Sequence, residues 1–340
     1  MALNLLFTCA GRRNYLINYF KEAIKGQGKI FAADMSISAP AMVDADVAIV
    51  VPSIYDDSYI MALKNSVSTH HIDAIISLND LELPILSKHK ADIETTGAKV
   101  IISSEKVIDI AFDKVKTFNF ISNIGLKTPL TYTTLKTVKQ AIAEGKLNYP
   151  LVVKPRWGSA SIGIDFPESE EELDLAYKLQ HIKLKKSILN TASEQDLNNA
   201  ILIQQKMDGK EFGMDIVNDF NGNYYGTFVR EKVNMRSGET DKAISVIDKR
   251  FDYIGEIISK HLGHIGSLDC DVFMANDELY VLELNPRFGG GYPFSHEAGI
   301  NTAAIYIEWL KGNTEVSKFN QYKAGKLFSK CDRMLEIKKS

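Results

Sequence analysis

The chain has 340 residues, enough for two or three domains at roughly 150 residues each. Forty Lys and Arg against 43 Asp and Glu leave a net charge of −3, which excludes the basic surplus of a nucleic-acid binder. Cys9, Cys270 and Cys331 are too few and too far apart for a disulfide framework and fit a reducing cytoplasm, and no apolar run reaches the ~18 residues of a membrane span.

Residues 3–9 read as a buried strand; the only nearby charges, Arg12 and Arg13, follow the apolar part, the reverse of a signal sequence. Residues 14–25 read as a helix with Leu16, Ile17, Phe20 and Ile24 on one stripe. Strands over 30–33, 47–51, 74–78 and 100–102, with a helix over 59–68, predict an open parallel sheet covered on both faces. Ligands of such sheets gather at the carboxyl ends of the strands. The rhythm then changes. A helix over 106–124 runs into the stop Gly125-Leu126-Lys127-Thr128-Pro129, and a strand at 150–155 leads through a glycine/serine loop to a helix near Glu168. The polar stretch 181–199 reads either as a lid insertion or as a solvated helical face. A strand at 200–205, a meander of strands to 285, helices over 248–262 and 301–311 and a final strand within 325–337 complete the chain, without internal repeats.

The chemistry concentrates between residues 266 and 291. Two strands flank the turn Ala275-Asn276-Asp277-Glu278. Strict alternation puts Leu268, Cys270, Val272 and Met274 on one face with Asp269 and Asp271 opposite, and separates Tyr280, Leu282 and Leu284 from Val281, Glu283 and Asn285. A hairpin centred near Asp277 sets Asp271 across from Glu283. Two carboxylates ~5 Å apart repel by about 3 kcal/mol at an effective dielectric of ~20, unless a cation sits between them. Asp271, Glu283 and Asn285 are oxygen ligands suited to Mg²⁺; a solvated charged hairpin would carry the same residues. Arg287 follows, with its fixed fork of donors, and Gly289-Gly290-Gly291 allows backbone amides close to an anion. A metal clamp, a cation and an amide nest read as a phosphoryl-transfer site.

Glu283-Leu-Asn285-Pro-Arg287, with Asp271 twelve residues before Glu283, resembles the ATP-grasp superfamily in the flavour of the carbamoyl-phosphate-synthase large subunit and its single-module relatives. The resemblance covers about residues 1–310. It implies that Lys114, after Asp113, and Lys154, in Val152-Val153-Lys154-Pro155, reach the nucleotide phosphates. It makes Arg156-Trp157-Gly158-Ser159-Ala160-Ser161-Ile162-Gly163 the flap over them, with Gly158, Ser159 and Ser161 in contact; this is no Walker loop, since Ile164 follows Gly163. It implies that Gln205 accepts from the adenine amino group, where relatives often carry Glu, that Lys206 and Met207 read the adenine edge, and that Glu211 binds the ribose. In the segment Phe228 to Thr240 it favours Arg236, with Arg287, on the acceptor side; an exposed basic edge strand is the other reading.

The resemblance thus implies an N-terminal open α/β domain over 1–110, a lid subdomain with its connecting helix over 111–205, a metal-binding body over 206–312 and a tail over 313–340. It further implies a cytoplasmic ligase that uses ATP with Mg²⁺, or Mn²⁺, and joins a small-molecule carboxylate to an amine or thiol through an acyl phosphate. Phosphorylation of bicarbonate and carbamate, and ATP binding without turnover, stand as alternatives, and a homodimer is left open. Substrate choice is expected to lie at residues 11–14, Asp34, Asn79-Asp80-Leu81-Glu82, the Arg236 region and residues 292–297.

Overall fold

A computed structural model describes residues 2–158 and 163–337. Five parallel strands, β1 (Leu3–Thr8), β2 (Gly28–Asp34), β3 (Val47–Val50), β4 (Ala74–Ser77) and β5 (Lys99–Val100), lie in the order β3-β2-β1-β4-β5. Leu5, Leu6 and Phe7 are all fully buried, because helices cover both faces of the sheet. One face takes the helix Asn14–Ile24 through Leu16, Ile17, Phe20 and Ile24, the stripe its spacing predicts. The late helix Thr302–Leu310 joins that face through Ala303, Tyr306 and Ile307. Helices Tyr59–His70 and Leu83–Glu94 cover the other. The latter carries Pro84 in its first turn, where proline costs no hydrogen bond. The chain leaves β1 first toward β2 and β3, then returns to β4 and β5. A crevice therefore opens at the carboxyl ends of β1 and β4.

The helix expected over 106–124 is two helices, Glu105–Phe112 and Lys114–Asn123. Asp113 between them is extended and caps the second, its Oδ1 accepting from the amides of Val115 (2.9 Å) and Lys116 (3.3 Å). Arg156 fixes that carboxylate from across the cleft, its Nε and Nη2 donating to Oδ1 and Oδ2 at 2.8 and 2.7 Å. Lys114 thereby becomes the first residue of a new helix, aimed along a set direction.

A three-stranded antiparallel layer, β6 (Thr131–Tyr132), β7 (Leu151–Pro155) and β8 (Ile201–Gln205), is ordered β6-β8-β7. The polar stretch 181–199 is more than a solvated face, since Leu184 and Leu189 are buried in the core of this layer. Six strands form the largest sheet: β9 (Lys210–Asn218), β10 (Tyr224–Arg236), β11 (Glu239–Val246), β12 (Ser267–Ala275), β13 (Glu278–Asn285) and β14 (Leu327–Ser329), ordered β13-β12-β9-β10-β11-β14. The tail strand is β14, paired with β11 at Ala243 and Phe328. One face of this sheet packs Leu268, Cys270 and Val272 against Phe251, Ile254 and Ile258 of the helix Lys249–Leu262. The other face carries the charges.

Candidate active site

The β12–β13 hairpin turns at Asn276 and Asp277, both with positive φ (50° and 62°), in the two-residue geometry that right-handed strand twist favours. Asp271 pairs with Glu283, as the turn position predicts. Strict alternation fails one step later. The register jumps from Asp271↔Glu283 to Val272↔Val281, so Leu282 is an extra residue. Val281 and Leu284 consequently enter the core, while Leu282 and Glu283 both face a cleft of about 280 Å³ between the hairpin and the β7–β8 layer.

Two lysines enter this cleft from different elements. Lys154, on β7 and 6% exposed, donates from Nζ to Gln204 Oε1 at 2.9 Å, and Gln204 is held by Thr131 Oγ1 at 2.9 Å. Burial pulls the Lys154 ammonium down to about 8, against the opposing pull of Glu283. Lys114 donates to the Gly158 carbonyl and stands 3.6 Å from Glu283 Oε1. Gly158 has φ of +135°, a conformation that favours glycine, and a Cβ there would also press on the Leu189 side chain at 2.8 Å. Gln205, Lys206 and Met207 line the far end among apolar groups that include Val152, Phe166 and Phe273. Gln205 Oε1 accepts from the Leu130 amide at 3.4 Å, and Lys206 pairs with Asp208 at 2.8 Å. Glu211 lines the cleft as well and gives Oε1 to Lys232 at 2.6 Å. Ser159 and Ser161 lie outside the described residues.

The charged floor is built by register. Gly213 on β9 is the cross-strand neighbour of both Arg230 and Asp271. A Cβ on Gly213 would come within 2.9 Å of Arg230 Nη2, so the guanidinium lies across the bare glycine. From there Arg230, 1% exposed, reaches Asp215 Oδ2 (2.6 Å), Asp269 Oδ1 (3.0 Å) and Ser295 Oγ (3.2 Å). Asp269 gives its other oxygen to Arg287 Nη1 at 3.1 Å. Burial would raise the Asp269 carboxyl, but Arg287 and Arg230 together hold it below the usual range. Two of the three glycines after Arg287 act as platforms: a Cβ on Gly289 would meet Asp269 Oδ1 at 2.2 Å, and one on Gly291 would meet Arg230 Nε at 2.2 Å. At these two positions glycine makes room for the protein's own charged side chains, and Gly290 and Gly291 line the pocket with Arg287.

Lys232 lies between Glu211 and Asp271, 2.6 and 2.7 Å away. Burial raises the Asp271 carboxyl to about 6, with Lys232 opposing and Asp269 and Glu211 adding to the rise. Asp271, Glu283 and Asn285 line one pocket with Lys232 and Arg287. Among the described residues no group of three His, Cys, Asp or Glu side chains forms a metal cage. Two carboxylates and an amide fit a hard cation that takes its remaining oxygens from water and phosphates.

Arg236 is the correction among the expected side chains. β10 pairs with β9 only as far as Glu231, and beyond it residues 232–236 run on as a two-stranded ribbon with β11, bulged after Lys232. Arg236 is half exposed there, bound to Asp241 (3.0 Å) and Asp332 (2.8 Å) and absent from the cleft lining. The residues that do face the site are Arg230 and Lys232, with Asp269. Their strand alternation was visible in the sequence; which end of the strand stays inside the sheet was not.

The sequence matches the model of the ATP-grasp domain family over residues 111–291. The chain belongs to that family. Residues 5–101 of this ATP-grasp chain match the PylC-like N-terminal domain. Among curated proteins, this ATP-grasp chain is 25% identical over 288 residues to the carbamoyl phosphate synthase large chain of Campylobacter jejuni, covering 79% of this chain and 25% of that one. It thus spans about a quarter of the length of that relative. The biotin carboxylase domain dimer of Hydrogenobacter thermophilus 2-oxoglutarate carboxylase, solved with MgADP, ADP and bicarbonate, shares the fold at TM-score 0.72 and 17% identity, covering 92% of this chain and 70% of that one. The L-amino acid ligase of Bacillus licheniformis does so at TM-score 0.69 and 21% identity, covering 96% and 78%. No helix among the described residues is long and apolar enough to cross a membrane.

Proposed function

We propose that the protein is an ATP-dependent carboxylate–amine or carboxylate–thiol ligase acting through an acyl phosphate. The observation that carries this reading is the convergence of Lys114 and Lys154 on Glu283 in one cleft, beside Asp271, which Lys232 holds from the adjoining pocket. Two ammonium groups held mainly by neutral oxygens are short of negative charge, and a polyphosphate supplies it. The apolar end at Met207 and Phe166 takes the adenine, with backbone groups of residues 205–207 at its edge. Glu211 shares its carboxylate between Lys232 and the ribose.

Asp271, Glu283 and Asn285 would hold Mg²⁺, or Mn²⁺ in its place; the ion supplies charge neutralisation across the phosphates. The substrate carboxylate enters over Lys232 and Arg287, and its oxygen attacks the γ-phosphorus while the bond to the β-phosphate oxygen breaks, giving ADP and an acyl phosphate. Lys114 and Lys154 steady the nucleotide side, and Lys232 and Arg287 the acceptor side, of a transition state that needs positioning and charge more than a covalent nucleophile. An amine or thiol then attacks the acyl carbon and phosphate leaves. The matched carbamoyl phosphate synthase and the bicarbonate of the Hydrogenobacter complex favour bicarbonate as one acceptor to include. The test is ADP release from MgATP across a panel of amino acids, small carboxylates and bicarbonate. Stimulation by at least one of them supports the reading; ADP release indifferent to every acceptor counts against it.

A further inference from the structure

Arg287 is tied to the first sheet as well as to its own. Its Nη2 donates to Asp80 Oδ2 at 2.7 Å, and Asp80 is 6% exposed. Asp80 sits just past the carboxyl end of β4, in the crevice beside β1, and its loop is held tightly. The Leu81 amide donates to Asn79 Oδ1 (2.9 Å) and the Glu82 amide to the Asn79 carbonyl (3.1 Å). Glu82, with no exposed surface, accepts from Thr8 Oγ1 (2.8 Å), Ser77 Oγ (2.6 Å) and the Tyr59 hydroxyl. Hydroxyls from β1, β4 and the helix Tyr59–His70 thus pin the segment that presents Asp80.

This arrangement is poor if stability alone is asked of it. Among the described residues, Asp80 Oδ1 is buried without a hydrogen-bond partner, and so is Arg287 Nε. A buried polar atom left unpaired loses its hydration with nothing in return. Both residues border the site: Asp80 borders a small space with Lys114, Glu283 and Asn285, and Arg287 lines the acceptor pocket. Asp269 and the Phe288 carbonyl hold Nη1, and Asp80 holds Nη2, so the guanidinium is fixed from both sheets.

We propose that Asp80 is a positioning residue for phosphoryl transfer: carried on the first sheet, it fixes the Arg287 guanidinium where Arg287 lines the acceptor pocket and meets the transferring group. The first sheet thereby helps to set the reaction geometry in the body. This rests on the ligase reading above, and the test separates the two. Binding of MgADP alone, and of MgADP with aluminium fluoride as a mimic of the phosphoryl group in flight, is measured by thermal shift and titration on the full chain. The parent should bind MgADP, and the fluoride should add a further increment. In Asp80→Asn the MgADP shift should persist, while affinity for the fluoride complex falls about 10–100-fold, the range for residues that orient a ligand-contacting group. In an Arg287→Ala background Asp80→Asn should change nothing more. Asp80→Glu, which keeps the charge but displaces it, should lose the increment in the same way and serves if the Asn variant does not fold. No MgADP binding by the parent would overturn the ligase reading itself. MgADP binding with an undiminished fluoride increment in Asp80→Asn or Asp80→Glu, or equal loss of MgADP and fluoride affinity, would overturn the role of Asp80 alone.

Discussion

The two ends of the cleft handle positive charge in opposite ways. At the nucleotide end, Lys114 and Lys154 are held chiefly by a backbone carbonyl and a glutamine oxygen, with Glu283 no nearer than 3.6 Å to the Lys114 ammonium. At the acceptor end, Arg230 and Arg287 are ion-paired with Asp215, Asp269 and Asp80. The lysines await a counter-charge; the arginines already have theirs and are fixed in place. The difference matches the chemistry we propose, because a polyanion arrives and leaves at one end, whereas the other must hold donors still while charge develops.

The largest effect that would break this comparison lies between the ends. Glu283→Gln removes a carboxylate that faces Lys114 and belongs to the metal set, and turnover should be lost while the fold survives; unchanged rates would remove Glu283 from the site. Arg287→Ala should lower kcat by ~10²-fold or more, the scale for one lost electrostatic stabiliser, with ATP affinity little changed. Equal losses in kcat and ATP affinity would mean that the two ends are not distinct. Lys154→Ala should weaken ATP binding by roughly 10–100-fold, as expected for a charge-assisted hydrogen bond of about 1.5–3 kcal/mol. The same lysine gives a pH signature. Its free-protein pKa is lowered to about 8, so it is charged below that pH and loses its proton above it. ATP affinity should therefore fall as pH rises past about 8, and Lys154→Arg, charged throughout, should flatten that fall.

These variants also mark what the sequence could and could not disclose. Lys114, Lys154, Asp271, Glu283 and Arg287 sit in short motifs, and the turn at Asn276-Asp277 sets the Asp271↔Glu283 register. The parallel first sheet was legible for the same reason, since its apolar strands and amphipathic helices keep their own periods. Features that depend on pairing between distant strands were not legible. The bulge at Leu282 breaks an alternation that looks regular in the sequence, and the β9–β10 pairing stops at Glu231, which leaves Arg236 half exposed on the ribbon beyond and Lys232 inside. The crossing of Arg230 over Gly213, and the reach of Asp80 to Arg287 across 207 residues, have no local signal at all.

Smaller effects sharpen the same contrast. Gly291→Ala puts a Cβ 2.2 Å from Arg230 Nε and should cost about 1–3 kcal/mol, the range for overpacking, read as a lower denaturant midpoint. A neutral result would mean that the arginine cluster is looser than the geometry requires. Arg236→Ala should be nearly silent in turnover, since its partners Asp241 and Asp332 are outside the cleft lining; a large loss of kcat would restore it to the acceptor side.

The central claim is that ATP is spent on making an acyl phosphate in this cleft. Hydroxylamine captures an acyl phosphate as a hydroxamate, so the direct measurement is hydroxamate and ADP formed together from MgATP, a stimulating carboxylate and hydroxylamine, without the natural amine or thiol. The account predicts equal amounts of the two, both dependent on the carboxylate and both abolished by Glu283→Gln. ADP formed without hydroxamate for every stimulating carboxylate would contradict it.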